Sequence, residues 1–166
     1  MPVPGYFPPG MPSFYRDPDA PTPTVPRTVG VTALIERDGA FLVERRADSD
    51  VDEWAFVGGR VDDESVLEAL QREVLEETGF AIEQASLFGI FSDPTRLVAY
   101  PDGNVCRITS IAFLLQPRGD AEPLPSEESR EMRFVRRDEL ARLPFWPAHL
   151  PIREALLAGG DGVVVA

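Results

Sequence analysis

The stretch that decides the fold spans residues 58–80 and reads GGRVDDESVLEALQREVLEETGF. Within it, residues 65–78 have the apolar spacing of an amphipathic helix, with acidic and hydroxyl cap candidates before them and Gly79 after them. The glycine pair at its start lets the backbone approach a ligand closely. The stretch therefore predicts a glycine-containing turn that leads into a helix of roughly four turns.

Three glutamates of the predicted helix share one side of it, because residues three and four positions apart are neighbours on a helix. They are Glu73, Glu76 and Glu77. The predicted core-facing stripe consists of Val66, Leu67, Leu70 and Val74. Glu73 and Glu77 fall at its edge, where crowded carboxylates repel and partial burial costs free energy unless a cation compensates. A hard divalent ion removes both costs, so the pattern favours a metal site over a solvated acidic face.

Two features next to the carboxylates complete the predicted site. Arg72 directly precedes Glu73 and can hold one carboxylate through a bidentate pair, which fixes that carboxylate for a metal. Upstream, the carbonyl of Gly58 or Gly59 is a candidate additional ligand. The candidate metal site therefore combines one helix side with the turn that precedes the helix.

Composition limits the classes of function. The 166 residues suffice for one domain, and a formal charge of -12 argues against a nucleic acid polymer as partner. A small phosphorylated substrate remains compatible, because a metal ion can mediate between carboxylates and phosphates. No apolar run approaches the roughly 18 residues that cross a membrane, and the N-terminus lacks the pattern of a signal peptide. With Cys106 as the single cysteine, we expect a cytoplasmic protein without disulfides and without membrane contact.

The N-terminal region differs from the rest of the chain. Residues 1–26 hold nine of the seventeen prolines, interspersed with aromatic residues, so they form neither a helix nor a central strand. We predict a Pro-rich N-terminal arm at 1–26 and a single folded domain at 27–166. The arm is either a flexible tail or an extended segment laid over the domain, and the aromatic residues favour the latter. Recruitment of a partner by the arm is an alternative role.

Residues outside the central stretch predict further elements. A β-hairpin is indicated at 29–35 and 41–44, because β-branched segments flank Asp38-Gly39. Apolar runs predict strands at 54–57, 85–91, 107–115 and 132–135. Helices are predicted at 137–143 and 151–158. The order of these elements predicts an α/β fold, a mixed sheet with helices on its faces.

The central stretch resembles the Nudix hydrolase signature, G-x5-E-x7-R-E-U-x-E-E-x-G-U, in which U is apolar. Its fixed positions are met by Gly58, Glu64, Arg72-Glu73-Val74, Glu76-Glu77, Gly79 and Phe80. The resemblance covers roughly residues 27–145 and implies a Nudix-like α/β/α sandwich with a mixed β-sheet. One departure concerns the loop at residues 60–63, which is one residue shorter than in many members that carry a glycine pair.

The resemblance also implies a class of reaction. It implies metal-dependent hydrolysis of a diphosphate bond in a nucleoside diphosphate linked to another moiety, with ADP-ribose or a nucleotide sugar favoured. Alternatives are a (d)NTP pyrophosphohydrolase acting on noncanonical or oxidised nucleotides and a catalytically silent nucleotide-sensing module. The intact Arg-Glu-x-x-Glu-Glu set argues against the silent module. A homodimer is an expectation at the level of the family.

Roles of individual residues follow from the same resemblance. Mg²⁺, with Mn²⁺ as an alternative, would be held by Glu73, Glu76, Glu77 and the carbonyl of Gly58. The ion would neutralise the diphosphate and activate a water molecule. Arg72 joins the catalytic set, and the general base is Glu73 or Glu77 of the helix or Glu128 of a later loop.

Three further residues are expected to contact substrate. Arg46, at the end of the second hairpin strand, resembles a family arginine that contacts phosphate. Arg96 and Tyr100 flank the loop around Pro94, where members often hold the nucleoside or sugar, and an aromatic ring there can stack on a base. His149, the single histidine, is not expected to be catalytic.

Overall fold

A computed structural model describes residues 11–46, 52–127 and 129–166, and Arg46 by its backbone alone. Along the described chain the strands are β1 Ser13–Phe14, β2 Thr28–Arg37, β3 Ala40–Arg46, β4 Trp54–Ala55, β5 Val57–Arg60, β6 Ile82–Phe91, β7 Leu97–Ala99, β8 Val105–Pro117, β9 Ser129–Arg136 and β10 Val164–Val165. The helices are α1 Val66–Thr78, α2 Arg137–Leu140 and α3 Leu150–Ala158, with a short 3-10 helix Pro147–His149 before α3. No helix in the described ranges is long and apolar enough to cross a membrane.

The predicted hairpin is confirmed as β2 and β3. Its two turn residues, Asp38 and Gly39, both have positive φ angles of 51° and 77°. Positive φ at both central positions defines a type I′ turn, whose twist matches that of the flanking strands. The turn places Arg37 opposite Ala40 and thereby sets the register of both strands.

Helix α1 is confirmed within one residue of its predicted start. Ser65 caps its N-terminus in a reciprocal capping box with Glu68, and Gly79 caps its C-terminus in the left-handed conformation. The prediction was wrong for one residue of the core-facing stripe, because Leu67 is 56 % exposed. It lies in the first turn, where no residue is buried. Burial begins at the second turn, and the buried set is Ala69, Leu70, Glu73, Val74 and Thr78.

The sheet is mixed, with β8 near its centre. β8 pairs in parallel with β2 and antiparallel with β6 and β7, and β2 also pairs antiparallel with β5. Alternating side chains of the strands enter two separate apolar clusters. One cluster contains Leu70 and Val74 of α1, and the other contains Ile152 and Leu156 of α3. The expected α/β/α sandwich is therefore confirmed.

The described part of the N-terminal arm packs on this domain. β1 adds to β7 antiparallel, with Ser13 opposite Val98. The side chain of Met11 is buried in a third apolar cluster, and the indole Nε1 of Trp146 donates to the Met11 carbonyl at 3.0 Å. Residues 11–26 thus support the extended arm over the flexible tail. Residues 1–10 lie outside the described residues, and the division of the chain at residue 27 stays a prediction.

Candidate active site

Arg72 of α1 is the centre of a network of hydrogen bonds. Its Nη1 donates to Glu73 Oε1 at 2.7 Å, and its Nη2 donates to the carbonyl of Arg60 at 3.1 Å. Its Nε donates to both carboxylate oxygens of Glu64, at 3.1 and 3.2 Å. One guanidinium therefore joins the helix to the end of β5 and to the loop between them. The fork of Arg72 fixes the relative positions of these three segments.

The charges of this network reinforce one another. Above all through its hydrogen bond, Arg72 lowers the pKa of Glu64 below its usual value, and Glu64 in turn raises the pKa of Arg72. Because Glu64 ionises more readily in the folded protein, its stabilising contribution is present above the unfolded-state pKa. That contribution is lost as the pH falls through the lowered folded-state pKa. Both groups are charged at neutral pH, so the network is intact there.

Glu73 lies where the sequence placed it, at the buried edge of the helix, and it is only 5 % exposed. Its carboxylate touches Gly59, because a Cβ added to Gly59 would lie 2.2 Å from Glu73 Oε1. A Cβ on Gly58 would instead meet the carbonyl oxygen of Val31 at 2.2 Å. Gly59 is thus the glycine whose missing side chain makes room for the carboxylate. The Gly58 carbonyl as a metal ligand stays a proposal.

Glu76 and Glu77 lie on the same side of α1 as Glu73. The Glu76 side chain is 61 % exposed, and its Oε2 is 3.5 Å from Arg72 Nη1, while Glu77 is half-buried. Within the described ranges, no three acidic, histidine or cysteine side chains converge closely enough to hold a metal ion as arranged. The donor set nevertheless fits Mg²⁺ or Mn²⁺, because it consists of hard carboxylate oxygens next to backbone carbonyls.

Arg96 contradicts its expected role as a substrate contact. Its side chain is 0 % exposed, and its guanidinium is used entirely inside the protein. It donates to the carbonyls of Ala148 and Phe91 at 2.7 and 2.6 Å and to Ser110 Oγ at 2.9 Å. Burial lowers its pKa to about 10, so it is still a cation at neutral pH. Arg96 joins β6, β8 and the 3-10 helix and has no surface for a ligand.

Tyr100 also lies elsewhere than expected. It is only 8 % exposed and belongs to the third apolar cluster, so its ring is not available to stack on a base. His149 is buried, and its Nδ1 accepts a hydrogen bond from the backbone N–H of Phe56 at 3.2 Å. The backbone of Arg46 pairs with Ser129, which follows Glu128 in the sequence. Glu128 itself and the side chain of Arg46 lie outside the described residues, and their expected roles remain proposals.

Two residues of the site were not singled out for a role by the sequence. Glu64 was seen as a fixed position of the signature, but its function as the main partner of Arg72 was not inferred. A separation of eight residues does not indicate contact, because side-chain neighbours on a helix are three or four residues apart. Arg60 gave no signal at all, because its contribution is a backbone carbonyl. Only the folded turn brings that carbonyl to Arg72.

Alanine substitutions at the two glycines should separate site geometry from folding. In Gly59→Ala the new methyl meets the flexible end of Glu73, so we expect that carboxylate to move away from its position in the site. We expect kcat/KM to fall about 100-fold, which is within the range observed when a residue that supports a metal ligand is lost. In Gly58→Ala the methyl meets the rigid backbone of Val31, so the main loss should be in stability. Thermal unfolding and steady-state kinetics of both variants check this. A Gly59→Ala enzyme with wild-type kinetics would contradict the contact with Glu73.

Comparison with known proteins accords with this geometry. A family model described as NUDIX domain matches residues 24–156. An ADP-ribose pyrophosphatase of Methanocaldococcus jannaschii is 34% identical over 119 residues, which are 70% of this chain and 66% of that protein. The nucleoside triphosphatase NudI of Escherichia fergusonii is 34% identical over 122 residues, 70% of this chain and 86% of that protein. The crystal structure of an ADP-ribose pyrophosphatase from Streptococcus suis has the same fold, with a TM-score of 0.62 at 20% identity, over 83% of this chain and 96% of its own. The chain therefore belongs to the Nudix family and is a Nudix hydrolase.

Proposed function

We propose that this chain is a Mg²⁺-dependent pyrophosphohydrolase that cleaves the diphosphate bond of a nucleoside diphosphate linked to another moiety, with ADP-ribose as the leading substrate. One observation carries the proposal: Arg72 holds the buried carboxylate of Glu73 against Gly59, beside two more glutamates on the same helix side. Burying a carboxylate in an acidic cluster costs stability. A bound cation would offset this cost, and carboxylates in such perturbed surroundings are typical of functional sites.

The residues of the site are proposed to have separate roles in metal binding, orientation and proton transfer. Glu73, Glu76 and Glu77 would hold Mg²⁺ or Mn²⁺, which when bound supplies charge neutralisation of the diphosphate and a lower pKa for a bound water. Arg72 orients Glu73. Because Glu73 is paired with Arg72 and buried, we assign the general base to Glu77, with Glu128 as the alternative. Arg46 is proposed to contact a substrate phosphate.

A second substrate class has specific support. A relative named nucleoside triphosphatase is as similar to this chain as the relative named ADP-ribose pyrophosphatase, at 34% identity each. Hydrolysis of a noncanonical or oxidised (d)NTP is therefore the alternative. The two classes share the diphosphate and the metal, and they differ in what is attached to the diphosphate.

Metal dependence is the first expected result. With Mg²⁺ present, ADP-ribose should be cleaved to AMP and ribose 5-phosphate, and excess EDTA should abolish the activity until Mg²⁺ is restored. A panel of ADP-ribose, nucleotide sugars and oxidised or canonical (d)NTPs, analysed by chromatography of the products, measures this. Release of diphosphate and a (d)NMP from a triphosphate at a higher kcat/KM than for ADP-ribose would favour the alternative. Activity that persists in EDTA would contradict the metal site.

Two further expectations stay proposals. We propose a cytoplasmic location, which fractionation of cells that express the tagged chain would test. A homodimer is proposed from family membership alone. Light scattering coupled to size-exclusion chromatography would distinguish it from a monomer.

A further inference from the structure

Strand β6 has one edge that is only partly covered. Its inner edge pairs with β8 along the strand, from Ile82 to Phe91. Its outer edge pairs with β10, opposite Gly89 and Ile90. Among the residues that the structure describes, no strand pairs with the outer edge of β6 from Ile82 to Leu87. This half of β6 therefore presents backbone N–H and C=O groups to which a further strand can hydrogen-bond.

The centre of this open edge lacks the features that usually prevent strand pairing, which are charges, prolines, bulges and a covering segment. The register of β6 against β8 shifts between Ile82 and Gln84 and again between Leu87 and Gly89, so residues 84–87 pair regularly. None of these four residues is charged or a proline, and all four are exposed. Because successive residues of a strand direct their N–H and C=O groups to opposite edges, two of the four offer these groups to an added strand.

The same edge of β6 already accepts an added strand further along. The backbone N–H of Ala166 donates to the Ile90 carbonyl at 2.9 Å, and the Ala166 carbonyl accepts from the N–H of Ser92 at 2.5 Å. These bonds continue the pairing of β10, which has only two residues. The geometry of this edge therefore suits a short extended segment, and the segment needs few residues to pair.

A groove of about 520 Å³ lies beside the open edge. It is lined by residues 83–86 of β6, residues 114–116 of β8 and Glu36 of β2. Both charged residues of this lining, Glu36 and Glu83, are carboxylates, and the chain as a whole has a formal charge of -12. The negative potential of such a groove attracts a positively charged partner and repels a negatively charged one.

We propose that the open edge of β6 binds an extended peptide segment rich in arginine or lysine, which adds to the sheet as a further strand. Backbone hydrogen bonds to residues 84–87 supply the affinity, and the carboxylates of Glu83 and Glu36 select positive side chains. A second copy of this chain suits the edge less well, because each copy brings its own Glu83 and a net negative charge to the contact. The proposal goes beyond the proposed function and does not depend on it.

Binding to the full-length chain can be measured with a fluorescein-labelled peptide of alternating valine and arginine. Fluorescence anisotropy should show saturable binding of this peptide and none of its counterpart with glutamate in place of arginine. The same peptide N-methylated at every backbone amide keeps its charges but cannot donate hydrogen bonds to β6, so it should bind about tenfold more weakly. Equal affinity of the N-methylated peptide, or no binding of the valine–arginine peptide, overturns the proposal.

Amide hydrogen exchange followed by NMR locates the bound peptide. The outward-facing amides of residues 84–87 should exchange about tenfold more slowly when the peptide is bound, because added strand bonds protect them. Slower exchange in α1 instead would show that the peptide is attracted to the glutamates of that helix, and would overturn the proposal. Protection of residues 84–87 without peptide, in a chain that light scattering shows to be a dimer, would assign the edge to a second copy and overturn it as well.

A charge-removing variant tests the selection of a cationic partner. Glu83→Gln should weaken binding of the valine–arginine peptide about threefold, the effect of losing one exposed ion pair. The matched control is Asp138→Asn, which removes one exposed carboxylate of α2 outside the groove and should leave the affinity unchanged. Equal affinities of the two variants would show that the groove does not select the charge, and would overturn the proposal. A chain that binds the peptide at β6 but cleaves no nucleotide would overturn the proposed function alone.

Discussion

Glu77→Gln is expected to lower kcat by about 10²- to 10⁴-fold, the range that a general base contributes. Glu77 is half-buried on the side of α1 that also carries Glu73. The amide has nearly the same shape as the carboxylate, but it can neither take a proton nor supply a negative charge. The fold should persist, because the change removes no buried apolar contact. Steady-state kinetics on the preferred substrate, together with circular dichroism, measure the effect.

Two companion variants make this result specific. Glu83→Gln, on the exposed part of β6, removes the same charge outside α1 and should leave kcat unchanged. Glu128→Gln tests the loop alternative for the general base. The variant that lacks the base should lose the acidic limb of the kcat profile against pH, whereas loss of a metal ligand should weaken Mn²⁺ binding. Near-wild-type turnover of Glu77→Gln would remove Glu77 from the site.

The parts of the fold that the sequence predicted are those that depend on local chemistry. Helix α1 begins and ends where Ser65 and Gly79 place its caps, since capping bonds join residues within one turn. The hairpin turn follows from Asp38-Gly39 for the same reason. The burial of Glu73 was also visible, because helical periodicity alone puts it at the edge of the apolar stripe.

Partners that are distant in the sequence could not be predicted in this way. The sequence indicates only that Arg96 is a cation in a loop next to turn residues. In the structure its hydrogen-bond partners lie on three segments, one of them 52 residues away. The strands β1 and β7 are also invisible in the sequence, because two or three residues show no periodicity. These segments form strands only because a neighbouring strand offers them hydrogen bonds.

At the active site, the roles of the two glycines also depend on tertiary pairing and could not be predicted from the sequence. Spacing in the sequence aligned Gly58 with the first position of the signature, but spacing does not reveal the direction in which a Cα faces. That direction depends on how β5 pairs with β2, where Gly59 lies opposite Val31. The pairing turns Gly59 toward Glu73 and Gly58 toward the backbone of β2. Sequence therefore located the turn, and tertiary pairing determined which glycine serves the carboxylate.

Arg96→Met is expected to destabilise the protein by about 3 kcal/mol, although methionine can fill the space of the aliphatic part of the arginine side chain. Methionine leaves the carbonyls of Phe91 and Ala148 and the hydroxyl of Ser110 without their donor inside the protein. Each orphaned buried polar group costs about 1–3 kcal/mol. Relief from burying a charge offsets part of that sum, because an unpaired buried cation is itself costly. Equilibrium unfolding in urea, monitored by tryptophan fluorescence, measures the loss.

The measured quantity that changes, KM or the free energy of unfolding, distinguishes a substrate contact from a structural role of Arg96. A substrate contact would raise KM in Arg96→Met and leave the free energy of unfolding nearly unchanged, whereas a structural cation lowers that free energy first. Arg96→Lys should not restore stability, because one ammonium group cannot reproduce a planar fork with partners on three segments. Arg107→Met, at an exposed position of β8, is the matched control and should stay within about 0.5 kcal/mol of the wild type. Equal stability of the two methionine variants would show that the buried network around Arg96 does not hold the fold together.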